Sequence, residues 1–306
     1  MRKVFIVGAG GMVGAATASA LALKEIVSEI VLIDIAQDLA IGQAMDISDA
    51  TAYTNGVTVR VGDYSEIAEN DIVVITSGAP QKPGQSRREL IATNAKIMTD
   101  VVRQVMAQGK PVFILVVANP VDVLTYVALQ ESGLSKERVF GSGTTLDSAR
   151  LRVALAQRFH VSQQHVHAYI LGEHGDSSFP ALAAANIAGL PLTKFPGFTP
   201  DITAHIQADI QHKVYKIIET KKSTYFGIGH SIAKLVEALT TPTGSIYPVC
   251  SLATGEYGLE GVVIGLPSLI TPGGVKILDS YPLSPTETKQ LHQSAKIVSD
   301  MIKELP

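Results

Sequence analysis

Of the eight histidines, one stands in a setting suited to chemistry: Gly172-Glu173-His174-Gly175-Asp176, directly after the apolar run Val166–Leu171. A histidine at a strand end with glycines nearby can be presented to a cleft without crowding. Its ordinary pKa of about 6.5 suits proton exchange near neutrality. His160, His205, His212 and His292 are expected to be surface or packing residues. A second group is Leu146-Asp147-Ser148-Ala149-Arg150-Leu151-Arg152, in a helix-like stretch. Asp147 and Arg150 are three apart and share a helix face. In isolation they read as an ordinary surface ion pair. Arg152 lies about 140° round the helix from Asp147 and is expected to face elsewhere.

Two further motifs suit a ligand rather than a core. Gly8-Ala9-Gly10-Gly11-Met12-Val13-Gly14 follows the first strand-like run and opens a helix. Glycines there permit a tight turn and a close approach of backbone to pyrophosphate, while the helix start offers free N–H groups. Asp34 closes the next strand, where an acid binds ribose hydroxyls and repels a 2′-phosphate, so NAD is favoured over NADP. The glycine spacing is one residue longer than the usual fingerprint. The stretch Ser77-Gly78-Ala79-Pro80-Gln81-Lys82-Pro83-Gly84-Gln85-Ser86-Arg87 is broken by two prolines and two glycines and reads as a loop. Ser86 and Glu89 have capping-box spacing, which starts a helix there and puts Arg87 at the hinge, where a closing lid could carry it into a site. Alone, this would be an exposed charged loop.

These motifs need a scaffold. Short β-branched runs at Val4–Val7, Ile30–Ile33, Val57–Val61, Ile72–Ile75 and Val112–Val117 alternate with helix-like stretches such as Gly14–Leu23 and Leu90–Gln108. That alternation predicts the α/β class, with a doubly wound parallel sheet. A helix over Thr145–Phe159 opens a second half of mixed strands (Val166–Leu171, Tyr247–Ala253, Val262–Leu266, Gly274–Leu278) and helices near 201–219, 228–239 and 285–304. The length of 306 residues suits two domains, divided here as 1–141 and 142–306.

Composition narrows the class. At 46% hydrophobic and 17% charged, the chain can build a large core and is not disordered. A net charge of −3 argues against a nucleic-acid or anionic-membrane partner. The single cysteine, Cys250, allows no intrachain disulfide. The apolar run Val112–Ala118 is far short of the ~20 residues that span a bilayer. No targeting segment is visible, and a cytoplasmic protein is expected.

Together the motifs resemble the L-lactate/malate dehydrogenase family over essentially the whole chain. The resemblance is carried by Gly8–Gly14, Asp34, the Gln81–Arg87 loop, Val117-Ala118-Asn119-Pro120-Val121-Asp122, Leu146–Arg150, Gly172–Asp176 and Ser223-Thr224-Tyr225. It implies an N-terminal Rossmann domain, a C-terminal mixed α+β catalytic domain, and NAD held by Gly8, Gly10, Gly11, Met12, Val13, Gly14, Asp34, Gly78, Ala79 and Asn119. It implies His174 as proton donor and acceptor, Asp147 as its partner, Arg150 as a fork for the substrate carboxylate, and Arg87 as the residue that closes and polarises the carbonyl. Asn119 would touch substrate and nicotinamide ribose, and Thr224 would line the methyl side. Hydride passes directly to or from the nicotinamide, so no metal is needed.

Within the family, an Arg at position 81 pairs with a second substrate carboxylate; Gln81 cannot. Glu173 before His174 also matches the lactate branch, so pyruvate and lactate are the expected substrates. Rival readings are a malate dehydrogenase, a dehydrogenase of a bulkier L-2-hydroxy acid, and a catalytically silent NAD-binding redox sensor. Binding NAD alone would need none of His174, Asp147, Arg150 and Arg87. A related hydrolase that uses NAD transiently would be expected to use a metal, and no ligand cluster is visible. The resemblance further implies a homotetramer, and a fructose 1,6-bisphosphate effector held between subunits by Arg152 and His167. Departures from the family pattern are Pro80, where Asn is expected, Ser177-Ser178-Phe179 after the histidine motif, the longer glycine turn and the lack of an N-terminal arm.

Overall fold

The apolar runs of the first half form strands β1 (Val4–Val7), β2 (Glu29–Ile33), β3 (Thr58–Val61), β4 (Ile72–Ile75), β5 (Phe113–Val116) and β6 (Val139–Gly141). Helices α1 (Met12–Lys24), α2 (Gln37–Ala50), α3 (Arg87–Met106) and α4 (Val121–Ser132) connect them. The structure is a computed structural model that describes residues 2–80 and 87–305. The side chains of Arg87, Thr203, Ala204, His205, Gln207 and Gln211 are outside the described set. β1, β4 and β5 are buried at every position, because helices cover both faces of a parallel sheet. The strand order β3-β2-β1-β4-β5-β6 changes direction between β1 and β4. The carboxyl ends of those two strands open a crevice, the usual ligand position in such sheets.

The second half contributes α5 (Thr145–Phe159), β7 (Val166–Leu171), β8 (Phe179–Ile187), β9 (Leu190–Pro191), α6 (Ile202–Lys221), α7 (Phe226–Thr240), β10 (Ser245–Thr254), β11 (Glu260–Thr271), β12 (Gly274–Ile277) and α8 (Pro285–Lys303). Strands β7, β8 and β9 form a small antiparallel sheet of their own. Strands β10 to β12 do not. β10 pairs antiparallel with β6, Cys250 opposite Gly141, so one nine-stranded sheet runs through both halves. No local pattern announces that pairing, because a buried strand shows the same apolar run whichever neighbour it takes.

Helix packing follows the same mixing. Ile232, Leu235, Val236 and Leu239 of α7 share a core with Ala18, Leu21 and Ala22 of α1. In α8, a capping box between Ser284 and Glu287 starts the helix. Leu291, Ala295, Val298 and Met301 then recur at helical spacing and are buried in one cluster. Each fully buried large apolar side chain contributes about 1.5–3 kcal/mol. The register of α8 places Ser294 against the histidine loop. Among the described residues, no helix is long and apolar enough to cross a membrane.

Candidate active site

The glycine turn offers a surface made of backbone. Gly8 sits at φ +87°, and a Cβ there would lie 2.6 Å from the backbone N of Ser77. A Cβ at Gly14 would lie 2.6 Å from the Gly8 carbonyl oxygen, so α1 packs onto the turn only with glycine there. These contacts settle the unusual spacing: Gly8 makes the turn and Gly14 the closest helix approach. α1 starts with no side-chain cap and no acidic residue in its first turn, which suits a phosphate. Asp34 turns its carboxylate to the same place, accepting the Gly10 N–H at 2.8 Å and the Ala36 N–H at 2.9 Å. The Ser77 hydroxyl, buried beside Gly8, has no hydrogen-bond partner among the described residues. An extended polar ligand with phosphates and ribose hydroxyls fits this set of donors and one acceptor.

Around His174 the surface is made of charged side chains. His174 Nδ1 lies 2.7 Å from Asp147 Oδ2, and Arg150 donates to Asp147 Oδ1 at 2.9 Å. Asp147 and Arg150 are three residues apart on α5, and their pairing in a part-buried cleft is what that spacing permits. Arg150 keeps 11% of its side chain exposed and His174 29%, so both reach the cleft while losing most of their water. Burial pushes His174 down, but the Asp147 charge and hydrogen bond, with the Asp122 charge, outweigh it and hold the imidazole above its usual value. Burial pushes Asp147 up. The charge and hydrogen bond of His174, and then Arg150, outweigh that and hold it below its usual value.

Val13, Gly78, Ala79, Asn119, Asp147, Arg150, His174 and Thr224 line one cleft of about 610 Å³. It lies at the carboxyl ends of β1 and β4, as the strand order requires. Gln81 lies outside the described residues. Arg87 is the first residue of α3; its side chain and Ser86, the expected cap, lie outside the described residues. Arg152 and His167 do not line the cleft. His167 is exposed on β7, and Arg152 acts electrostatically on Tyr169 and Tyr247. Ser177 of the Ser-Ser-Phe sequence donates to Glu173 and meets Ser294 of α8, bracing the histidine loop.

Two contributors escape the motifs. Asn94, buried on α3, accepts the Ala79 N–H at 2.8 Å and donates to the Asn119 carbonyl at 2.9 Å, joining two cleft segments. Its sequence signal is an amide on the apolar stripe of Ile91, Ala95 and Met98. Ile210, Val214, Tyr215 and Ile218 of α6 add an apolar wall that no motif marks.

Sequence comparison decides the family. The model of the lactate/malate dehydrogenase NAD-binding domain matches residues 2–141, and that of the lactate/malate dehydrogenase alpha/beta C-terminal domain matches 144–305. The chain belongs to the lactate/malate dehydrogenase family. It is therefore an NAD-dependent oxidoreductase, and the glycine turn and Asp34 fit that cofactor. Its sequence is 41% identical to an L-lactate dehydrogenase of Pediococcus pentosaceus, over 99% of this chain and 97% of that one. It is 40% identical to L-lactate dehydrogenase 2 of Lactococcus lactis subsp. lactis, over 99% and 98%. The minor L-lactate dehydrogenase of Enterococcus mundtii, in its ligands-bound form, superposes with a TM-score of 0.95 at 37% identity, covering 100% of this chain and 98% of that one.

Proposed function

We propose that the protein is an NAD-dependent L-lactate dehydrogenase that interconverts L-lactate and pyruvate. The observation that carries this reading is the His174–Asp147–Arg150 cluster in the cleft, set beside full-length similarity to L-lactate dehydrogenases. The Gly8–Gly14 turn, Asp34 and the Gly78-Ala79 segment would hold NAD, whose nicotinamide would accept or donate the hydride. In the reducing direction His174 gives a proton to the substrate oxygen. Nδ1 is held by Asp147, which leaves Nε2 as the exchanging atom. Asp147 stabilises the imidazolium and orients it. The remaining guanidinium nitrogens of Arg150 take the substrate carboxylate as a fork. Asn119 and Thr224 border the substrate. Arg87 polarises the carbonyl, and Gln81 leaves room for a methyl group but no partner for a second carboxylate.

The same reading assigns 1–141 to the cofactor and 142–306 to the substrate, a homotetramer in the cytoplasm, and activation by fructose 1,6-bisphosphate through Arg152 and His167. Arg152 and His167 lie outside the lining of the cleft, as a separate anion site requires. Activation is expected as a lower KM for pyruvate, with reciprocal tightening of the effector by a pyruvate analogue. The deciding experiment follows NADH absorbance with pyruvate and with oxaloacetate. A higher kcat/KM for pyruvate is expected, and a preference for oxaloacetate overturns the lactate assignment.

A further inference from the structure

One buried carboxylate beside the proton donor has no part in the chemistry above. Asp122 is the second residue of α4 and is 1% exposed. Its Oδ2 accepts the backbone N–H of His174 at 2.9 Å, and its Oδ1 accepts the thiol hydrogen of Cys250 at 2.8 Å. Cys250 lies on β10 and is fully buried. Three segments far apart in sequence therefore meet at His174: the start of α4, the middle of β10 and the loop after β7. The first turn of α4 favours a charged carboxylate, because it is the positive end of the helix dipole. Burial works against that charge and pushes the Asp122 carboxyl up to about 6, offset in part by the Cys250 thiol and the His174 N–H. Burial, and then the Asp122 charge, hold Cys250 well above its usual value, so it remains a thiol donor.

We propose that Asp122 is a positioning residue for His174. Seated on the Cys250 thiol, its carboxylate fixes the histidine backbone and places a second negative charge near the imidazole, which keeps the proton donor charged. This rests on His174 being the proton donor of the reading above. The groups that act on His174 are Asp147 and Arg150 from α5 and Asp122 from α4, with Cys250 of β10 behind Asp122. Glu173 and Asp176 flank it on its own loop, and Arg150 and Asp176 line the same cleft. Burial and Arg150 disfavour the imidazolium, while Asp147 and Asp122 favour it. Arg150 must stay near for the substrate carboxylate, so a second carboxylate behind the histidine offsets a repulsion the chemistry cannot remove.

The test separates charge from bracing. Asp122→Asn keeps an oxygen for the His174 N–H, removes the charge, and turns an NH2 towards the Cys250 sulfur, which can accept from it. The His174 ring is followed by NMR against pH, assigned by its loss in His174→Asn, in the free enzyme and with NADH. In Asp122→Asn its pKa is expected to fall by about one pH unit or more. The alkaline limb of kcat/KM for pyruvate should move the same way, while the KM for NADH stays put. Cys250→Ala leaves the carboxylate short of a donor and should shift His174 in the same direction by less. Cys250→Ser, which restores a donor, should return it towards wild type, so the two Cys250 variants decide the matter even where Asp122→Asn fails to fold. If His174 titrates within about 0.3 of a pH unit of wild type in Asp122→Asn or, where that variant does not fold, in Cys250→Ala, the carboxylate is only a brace and the proposal is wrong. The ring titration needs no substrate. Failure of wild type to reduce pyruvate would therefore sink the lactate reading while the titration still judges Asp122.

Discussion

The glycine turn and the cleft that meets it at Val13 are built from different materials. At the glycine turn the groups on offer are main chain: a turn at Gly8, a close approach at Gly14 and the uncapped start of α1, with the Asp34 carboxylate beside them. Around His174 they are charged side chains. Two carboxylates and a guanidinium act on one imidazole, and the imidazole and both carboxylates are moved from their ordinary protonation ranges. Backbone donors do not titrate between pH 5 and 9, whereas a desolvated histidine between charges does. Binding and chemistry are thus expected to separate cleanly under mutation and under pH.

The largest expected effect breaks the His174 cluster alone. His174→Asn should lower pyruvate reduction by about 10²–10⁴-fold, the usual contribution of general acid catalysis. NADH binding, read by fluorescence, should change little. Turnover within a few-fold of wild type would remove His174 from the proton-transfer role.

Next comes specificity. Gln81→Arg should shift the kcat/KM ratio towards oxaloacetate by roughly 10²–10³-fold, because the new guanidinium pairs with the second carboxylate and is left unpaired by pyruvate. A change under about tenfold, equal to ~1.4 kcal/mol, would mean that residue 81 does not meet the substrate. The opposite failure is expected at the glycine turn. Gly8→Ala forces a side chain into a left-handed conformation and onto the Ser77 backbone. NADH affinity should weaken by about tenfold or more. The kcat at saturating NADH should stay within a few-fold, since no proton-transfer group moves.

The smallest effect is a difference in pH dependence. His174 is held above its ordinary value, so its charged form persists to higher pH than in a free histidine. Pyruvate reduction needs that form. Its kcat/KM should stay level through about pH 6.5 and fall only at higher pH, as the imidazolium is lost. Lactate oxidation needs the neutral ring and should rise over the same range, while NADH affinity stays level. Pyruvate reduction that already falls by half near pH 6.5 would show that Asp147 and Asp122 do not hold the proton.

Much of this is written locally in the chain. The β-branched runs and the glycine turn specify the parallel sheet and its nucleotide end, because strand burial, turn conformation and helix start depend on neighbours a few residues apart. The Asp147–Arg150 pair is legible too, since helix spacing alone puts the two on one face. The sequence by itself does not say that β10 would join β6 and carry Cys250 to Asp122, nor that Ser294 of α8 would meet the histidine loop. It does not bring Asn94 to Asn119. Those contacts join residues tens to more than a hundred positions apart, and an apolar strand or an amphipathic helix presents the same pattern to many possible partners. Only packing into one structure selects the partner. The protonation behaviour of His174 belongs to that second category, because burial and neighbouring charge come into being when the distant segments meet.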